Sequence, residues 1–160
     1  MLALDEMAHA HKIAVFLSFG SEIDTSPLIS ALWHSGREVY LPLLHPFSRG
    51  NLLFLRYGPD TQLVFNRMKI GEPALDVRQV LPLEQLDVMI TPLLGFDAQG
   101  NRIGMGGGYY DRTLRFWQRY HFQPIGLALD CQQVPAIPTE SWDVPLPMLV
   151  TPSTTWRWAS

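Results

Sequence analysis

Apolar positions along this chain fall in short runs of strand length, separated by polar stretches rich in glycine and proline. Residues 12–19, KIAVFLSF, mix β-branched and aromatic side chains and predict a strand buried on both faces. A loop over 20–25 follows, after which Ser26 is placed to cap and Pro27 to open a helix that Gly36 ends. Residues 37–44, REVYLPLL, read as a second strand. Strand, helix and strand within about thirty residues form a βαβ unit, so the sheet is expected to be partly parallel with a right-handed crossover. NLLFLRY (51–57), Gly58, Pro59 and QLVF (62–65) predict antiparallel strands around a turn, closed by the polar loop NRMKIGEP. LDVMIT (86–91) is a further buried strand that stops at Pro92. A helix fits 109–120, where Leu114 and Trp117 fall three apart while Arg112, Arg115 and Arg119 take other faces. PIGLALD (124–130) supplies another core strand, and the proline-rich tail reads as extended, with MLVT (148–151) as its last short strand. No repeat, low-complexity tract or linker interrupts the pattern, so one domain over 1–160 is expected.

Composition narrows the function classes. The hydrophobic share of 47% and charged share of 17% are those of a globular protein, and no apolar run approaches the ~18 residues of a membrane span, so no membrane role is expected. A formal charge of -3 offers no general attraction to nucleic acid. The single cysteine, Cys131, excludes an internal disulfide and a cysteine-cluster metal site, and reads as a buried small side chain. MLALDEMAHAHK carries an acidic pair where a secretory signal would be basic, so a cytoplasmic protein is expected. His9 and His11 are two apart on a predicted helix, and His34, His45 and His121 are scattered, so the histidines read as structural or solvated. Trp142, Trp156 and Trp158 read as packing residues of the tail.

The candidate chemistry concentrates in RIGMGGGYYDR, residues 102–112, with four glycines among the five residues 104–108. Glycines let a backbone approach phosphate oxygens, and amides at a following helix start point at negative charge. The dinucleotide pattern GxGxxG would need glycine where Tyr109 stands, and the Walker pattern fails because Gly100 is followed by Asn101 rather than lysine. Arg102 offers a planar fork suited to phosphate, and Asp111 could hold a magnesium ion. The same residues also admit plainer roles: a tight connection, a solvated arginine and a helix-capping aspartate.

LDVMITPLLGFDAQGNRIGMGGGYYDRTL, together with VFLSFGSEIDTSPLI upstream and WDVPLP downstream, resembles the 5-formyltetrahydrofolate cyclo-ligase family, also called methenyltetrahydrofolate synthetase, over most of the chain. The resemblance implies a three-layer α/β/α fold with a mixed, mostly parallel central sheet, akin to the ribose-isomerase and CoA-transferase group. It implies ATP- and magnesium-dependent conversion of 5-formyltetrahydrofolate to 5,10-methenyltetrahydrofolate, with release of ADP and phosphate. The formyl oxygen attacks the terminal phosphate, and the second folate nitrogen then closes the ring and expels phosphate. By the same resemblance Arg102, Ile103, Gly104, Met105, Gly106, Gly107, Gly108, Tyr109 and Tyr110 match the ATP segment. Met105 through Tyr109, with Leu17 and Glu22, match folate-contacting positions. Met68 stands where some relatives present a tryptophan to the folate. Asp111 and Asp143 match metal positions, and Arg102, Tyr109 and Asp111 are the catalytic candidates. A monomer is expected, with no nucleic acid partner.

The front of the chain departs from that pattern. Relatives usually begin with a basic helix whose lysine and arginine reach ATP, whereas MLALDEMAHAH has no such pattern, so the expectation is a truncated chain or a weakened nucleotide site. Two other functions follow as alternatives. A folate-binding protein with impaired turnover would bind 5-formyltetrahydrofolate without ATP. A sugar-phosphate isomerase, suggested by fold analogy alone, would act without ATP and would need an acid/base pair that the sequence does not offer.

Overall fold

The computed structural model describes residues 5–16, 24–44, 52–59, 63–65, 71–73, 80–103, 109–115, 117–138 and 145–158. A one-turn helix, α1 (Asp5–Ala8), precedes strand β1 (Lys12–Ala14), helix α2 (Ser26–His34) and strands β2 (Glu38–Leu44) and β3 (Leu52–Arg56). A hairpin of β4 (Leu63–Phe65) and β5 (Gly71–Pro73) follows, then β6 (Val88–Thr91) and a second hairpin of β7 (Gly95–Phe96) and β8 (Arg102–Ile103). Helices α3 (Tyr109–Leu114) and α4 (Trp117–Tyr120) lead to β9 (Gln123–Leu127), β10 (Met148–Val150) and β11 (Thr155–Arg157).

Among the described residues, seven strands form one sheet in the order β11-β10-β9-β6-β1-β2-β3. The five central strands are parallel, and β3 and β11 close the two edges antiparallel. Strand alternation divides the core in two. Ile13, Val15, Val39, Val88, Ile90, Ile125 and Met148 face one side, where Met7 of α1 and Ile29 and Leu32 of α2 cover them. Ala14, Tyr40, Met89 and Leu149 face the other, with Leu114 of α3, Phe122, and the half-buried Tyr110, Trp117 and Tyr120. Helices on both faces of a mostly parallel sheet make the three-layer α/β arrangement expected from the resemblance.

Several local expectations are corrected. Thr25, not Ser26, is the N-cap of α2: its hydroxyl donates to the Phe16 carbonyl at 2.7 Å, while the Ser26 amide is satisfied by Asp24 Oδ1 at 3.0 Å. The strand expected over 12–19 spans three residues here, and its last three positions lie outside the described residues. The helix expected over 109–120 is broken into α3 and α4; its aromatic residues are weak helix formers, and the packing of Tyr110, Trp117 and Tyr120 against the sheet outweighs local continuity. The strand expected over 124–130 ends at Leu127, and residues 130–132 form a 3-10 turn. Cys131 sits in that turn and is exposed, not buried, because the chain has already left the sheet. Beyond β10 the tail adds β11, whose Trp156 stacks on Trp158 at 5.9 Å and meets the Phe96 ring edge-on at 5.9 Å. The packing roles expected of these two tryptophans are met; Trp142 lies outside the described residues. No helix among the described residues is long and apolar enough to cross a membrane.

Candidate active site

The strand order turns about β1: the chain runs from it to β2 on one side and, later, to β6 on the other. In open α/β sheets ligands bind beyond the carboxyl ends of the strands at such a switch in strand order, which here lies at β1 and β6. The loop after β1 is pinned at its base by the Thr25–Phe16 bond, and it carries Leu17 and Glu22, which lie outside the described residues. Met68, Gly104, Met105, Gly106, Gly107, Gly108 and Asp143 lie outside them too.

The chain after β6 is described as far as Ile103. Buried Pro92 and Leu93 take it out of the sheet, and Gln132 fastens it to the turn after β9, its Nε2 donating to the carbonyls of Leu93 at 2.8 Å and Leu94 at 3.3 Å. The β7–β8 hairpin then brings Arg102, half-buried, opposite Phe96, and Ile103, exposed, opposite Gly95. The backbone re-enters the described structure at Tyr109, the first residue of α3, which also contains Tyr110 and Asp111. The glycine loop is thus entered from β8, a strand the sequence pattern did not give, and followed by the helix expected to start at Tyr109. Tyr110 packs against the core on this face of the sheet.

At the tip of the hairpin a carboxylate is buried. Asp97, 1% exposed, accepts from the amides of Gln99 at 3.0 Å and Asn101 at 3.1 Å through Oδ1, and from Asn101 Nδ2 and the Ile137 amide, both at 3.1 Å, through Oδ2. Burial pushes this carboxyl up, but the hydrogen bonds from Asn101, Gln99 and Ile137 outweigh it and hold its pKa below the ordinary value. With both oxygens occupied by four donors, Asp97 has the bonding of a structural anion rather than of a base or metal ligand. Gly100, at φ +87°, donates from its amide to the Asp97 carbonyl at 3.2 Å and accepts from the Leu146 amide at 2.9 Å, while Trp158 Nε1 donates to the Ala98 carbonyl at 2.8 Å. Sequence reasoning gave neither Asp97 nor Gln132 a role. The GFD turn signalled the bend, but their partners lie up to 40 residues away.

Among the described residues no group of three or more histidine, cysteine or acidic side chains could hold a metal ion. Chemically, a glycine loop between strand and helix, with an arginine at one end and an aspartate at the other, suits a polyphosphate with a hard divalent cation.

The model of the 5-formyltetrahydrofolate cyclo-ligase family matches residues 1–152. The 5-formyltetrahydrofolate cyclo-ligase of Escherichia coli K12 is 61% identical over 158 residues, spanning 99% of this chain and 87% of that protein. The Haemophilus influenzae protein of the same name is 56% identical over 145 residues, 91% of this chain and 78% of the relative. Among solved structures, 5,10-methenyltetrahydrofolate synthetase from Aquifex aeolicus superposes with a TM-score of 0.78 at 28% identity, covering 98% of this chain and 76% of that one.

Proposed function

This chain belongs to the 5-formyltetrahydrofolate cyclo-ligase family, and from that premise we propose which of its residues carry the reaction. The enzyme converts 5-formyltetrahydrofolate to 5,10-methenyltetrahydrofolate with ATP. The observation that carries the assignment of its site is the continuous run from β8 through the glycine loop to α3, with Arg102 before the loop and Asp111 after it.

In this reading the phosphates would be met by backbone amides of residues 104–108, and the Arg102 guanidinium would fork onto the oxygens that gain charge as the terminal phosphoryl group moves. Arg102, Tyr109 and Asp111 are the catalytic residues of this reading. The formyl oxygen attacks the terminal phosphorus and ADP leaves; the second folate nitrogen then bonds the formyl carbon, and phosphate departs with the former formyl oxygen. No protein nucleophile is needed, so catalysis is positioning and charge stabilisation. Asp111 and Asp143 supply the hard oxygen donors that suit magnesium, which neutralises phosphate charge when bound. Ile103 and Tyr110 complete the nucleotide side. Leu17, Met68 and the loop residues Met105–Tyr109 line the folate, with Glu22 accepting pterin N–H donors. We place the enzyme in the cytoplasm as one domain.

The test follows methenyltetrahydrofolate by its absorbance after mixing the protein with 5-formyltetrahydrofolate and magnesium-ATP. Product is expected only when ATP and magnesium are both present. Asp111→Asn is expected to abolish magnesium-dependent turnover and leave the far-UV spectrum unchanged; full activity in that variant would remove Asp111 from the mechanism. Folate binding without ATP binding or product would instead mean a non-catalytic folate protein.

A further inference from the structure

The segment bearing Asp143 is some forty positions from Arg102 in sequence, yet both of its described flanks end on one turn. Before it, the Ile137 amide donates to Asp97 Oδ2 at 3.1 Å; after it, the Leu146 amide donates to the Gly100 carbonyl at 2.9 Å. That turn, residues 97–101, is wound around the Asp97 carboxylate by the Gln99 and Asn101 amides and Asn101 Nδ2. It hands the chain directly to Arg102, whose strand is paired to Phe96. Gly100 has φ +87°, and a Cβ there would lie 2.8 Å from the Leu146 carbonyl oxygen, so the contact between turn and flank is as close as a backbone allows.

We propose that Asp97 is a positioning residue for the reaction: through one buried carboxylate it sets where Arg102 leaves the hairpin and where the Asp143 segment begins, and so fixes the arginine and the metal carboxylate relative to each other. Asp97 touches neither ligand. Its effect falls more on the magnesium-nucleotide half of the site, to which Arg102 and Asp143 both belong, than on the folate half, which shares Met105–Tyr109 but also draws on Leu17 and Glu22 from a loop fastened elsewhere, by Thr25 and Phe16. This inference rests on the roles proposed above for Arg102 and Asp143.

Asn at position 97 keeps the shape but turns one acceptor into a donor facing two N–H groups, which loosens either the turn or its bond to Ile137. The full-length Asp97→Asn and Asn101→Ala variants are compared with wild type for thermal unfolding and for steady-state kinetics well below the unfolding range. For Asp97→Asn the KM for magnesium-ATP and the magnesium concentration at half-maximal rate are expected to rise about tenfold or more, since small displacements of positioning groups have effects of that order. The KM for 5-formyltetrahydrofolate is expected to rise by less than that for magnesium-ATP, and an equal or larger rise would overturn the proposal. Asn101→Ala, which removes one donor of four, is expected to give the same pattern at smaller amplitude and decides the matter if Asp97→Asn does not fold. Lowered thermal stability with unaltered magnesium and nucleotide dependence would make Asp97 merely structural and overturn the proposal. Arg102→Lys and Asp143→Asn are run alongside. If they leave the magnesium-ATP dependence unchanged, the site reading itself fails and the proposal with it; if they shift it and the Asp97 and Asn101 variants do not, the coupling through Asp97 alone is wrong.

Discussion

At the scale of single residues, two glycines separate backbone conformation from close approach. Gly36 and Gly100 both have positive φ, +80° and +87°. A Cβ on Gly36 would meet nothing within 4 Å, whereas on Gly100 it would lie 2.8 Å from the Leu146 oxygen and 3.1 Å from the Trp158 ring. Gly36→Ala is therefore expected to cost about 1–2 kcal/mol from the left-handed backbone alone. Gly100→Ala is expected to cost about 1–3 kcal/mol more, because a backbone carbonyl must also give way. Urea unfolding of both variants checks this; equal losses would mean that the 97–101 turn shifts without strain. The role of Gly36 was legible, since a glycine after a helical run is a stop signal. What Gly100 touches was not, because Leu146 and Trp158 are distant in sequence. Cys131 shows the same limit: its residue type favours burial, but its place in a turn beyond β9 exposes it.

At the scale of elements, α1 shows how a helix too short to persist alone is held. Met7 is fully buried, and Arg37 reaches across from just before β2, its Nε donating to the Ala10 carbonyl at 3.0 Å and its Nη2 to the Met7 carbonyl at 2.9 Å. Glu6 also forms a two-bond ion pair with Arg157 of β11, but that guanidinium side chain is 52% exposed. Charge-assisted bonds to carbonyls at a half-buried site outweigh an exposed ion pair. Arg37→Leu is thus expected to cost about 2–3 kcal/mol and Arg157→Leu below about 1 kcal/mol. Hydrogen exchange at the α1 amides should speed up markedly only in the first; the reverse order would show that β11, not Arg37, holds the helix. Elements buried on both faces were the easy ones to read, since apolar runs such as VMIT and PIGL encode them locally. The β7–β8 hairpin, the break between α3 and α4 and the edge strand β11 escaped because each is two to four residues of mixed polarity next to a partner that the local pattern does not specify.

For the whole molecule, charge sets the pH window of stability. Glu38, at the start of β2, is ringed by Lys12, His11, Arg56 and the Tyr40 hydroxyl at 3.0 to 3.2 Å. Burial pushes its carboxyl up, but the bonds from Lys12 and Tyr40 and the nearby Arg56 charge bring it below its ordinary 4.5. Asp97 is below 3.8 for the reasons given, and Glu6 below 4.5 chiefly through the Arg157 hydrogen bond. Lowered carboxyls stabilise the fold above their unfolded values, and the gain is lost as pH falls through the folded ones. Lys12 is raised above 10.5, mainly by its bond to Glu38, and Tyr40 above 10.0, first by burial and then by Glu38. Their contributions are complete below those values and disappear as pH rises past them. The urea midpoint is therefore expected to be level between about pH 5 and 9.5 and to fall on both sides, with Glu38→Gln shallower at each end. An unchanged profile in that variant would sink the assignment. The sequence by itself determined the alternation of strands and helices, the family and the glycine loop, because apolar runs and a contiguous motif are local properties of the chain. Only the tertiary structure decided the strand order, with its switch at β1, and the Asp97 turn, because a hydrogen bond between residues 40 positions apart leaves no periodic trace in either segment.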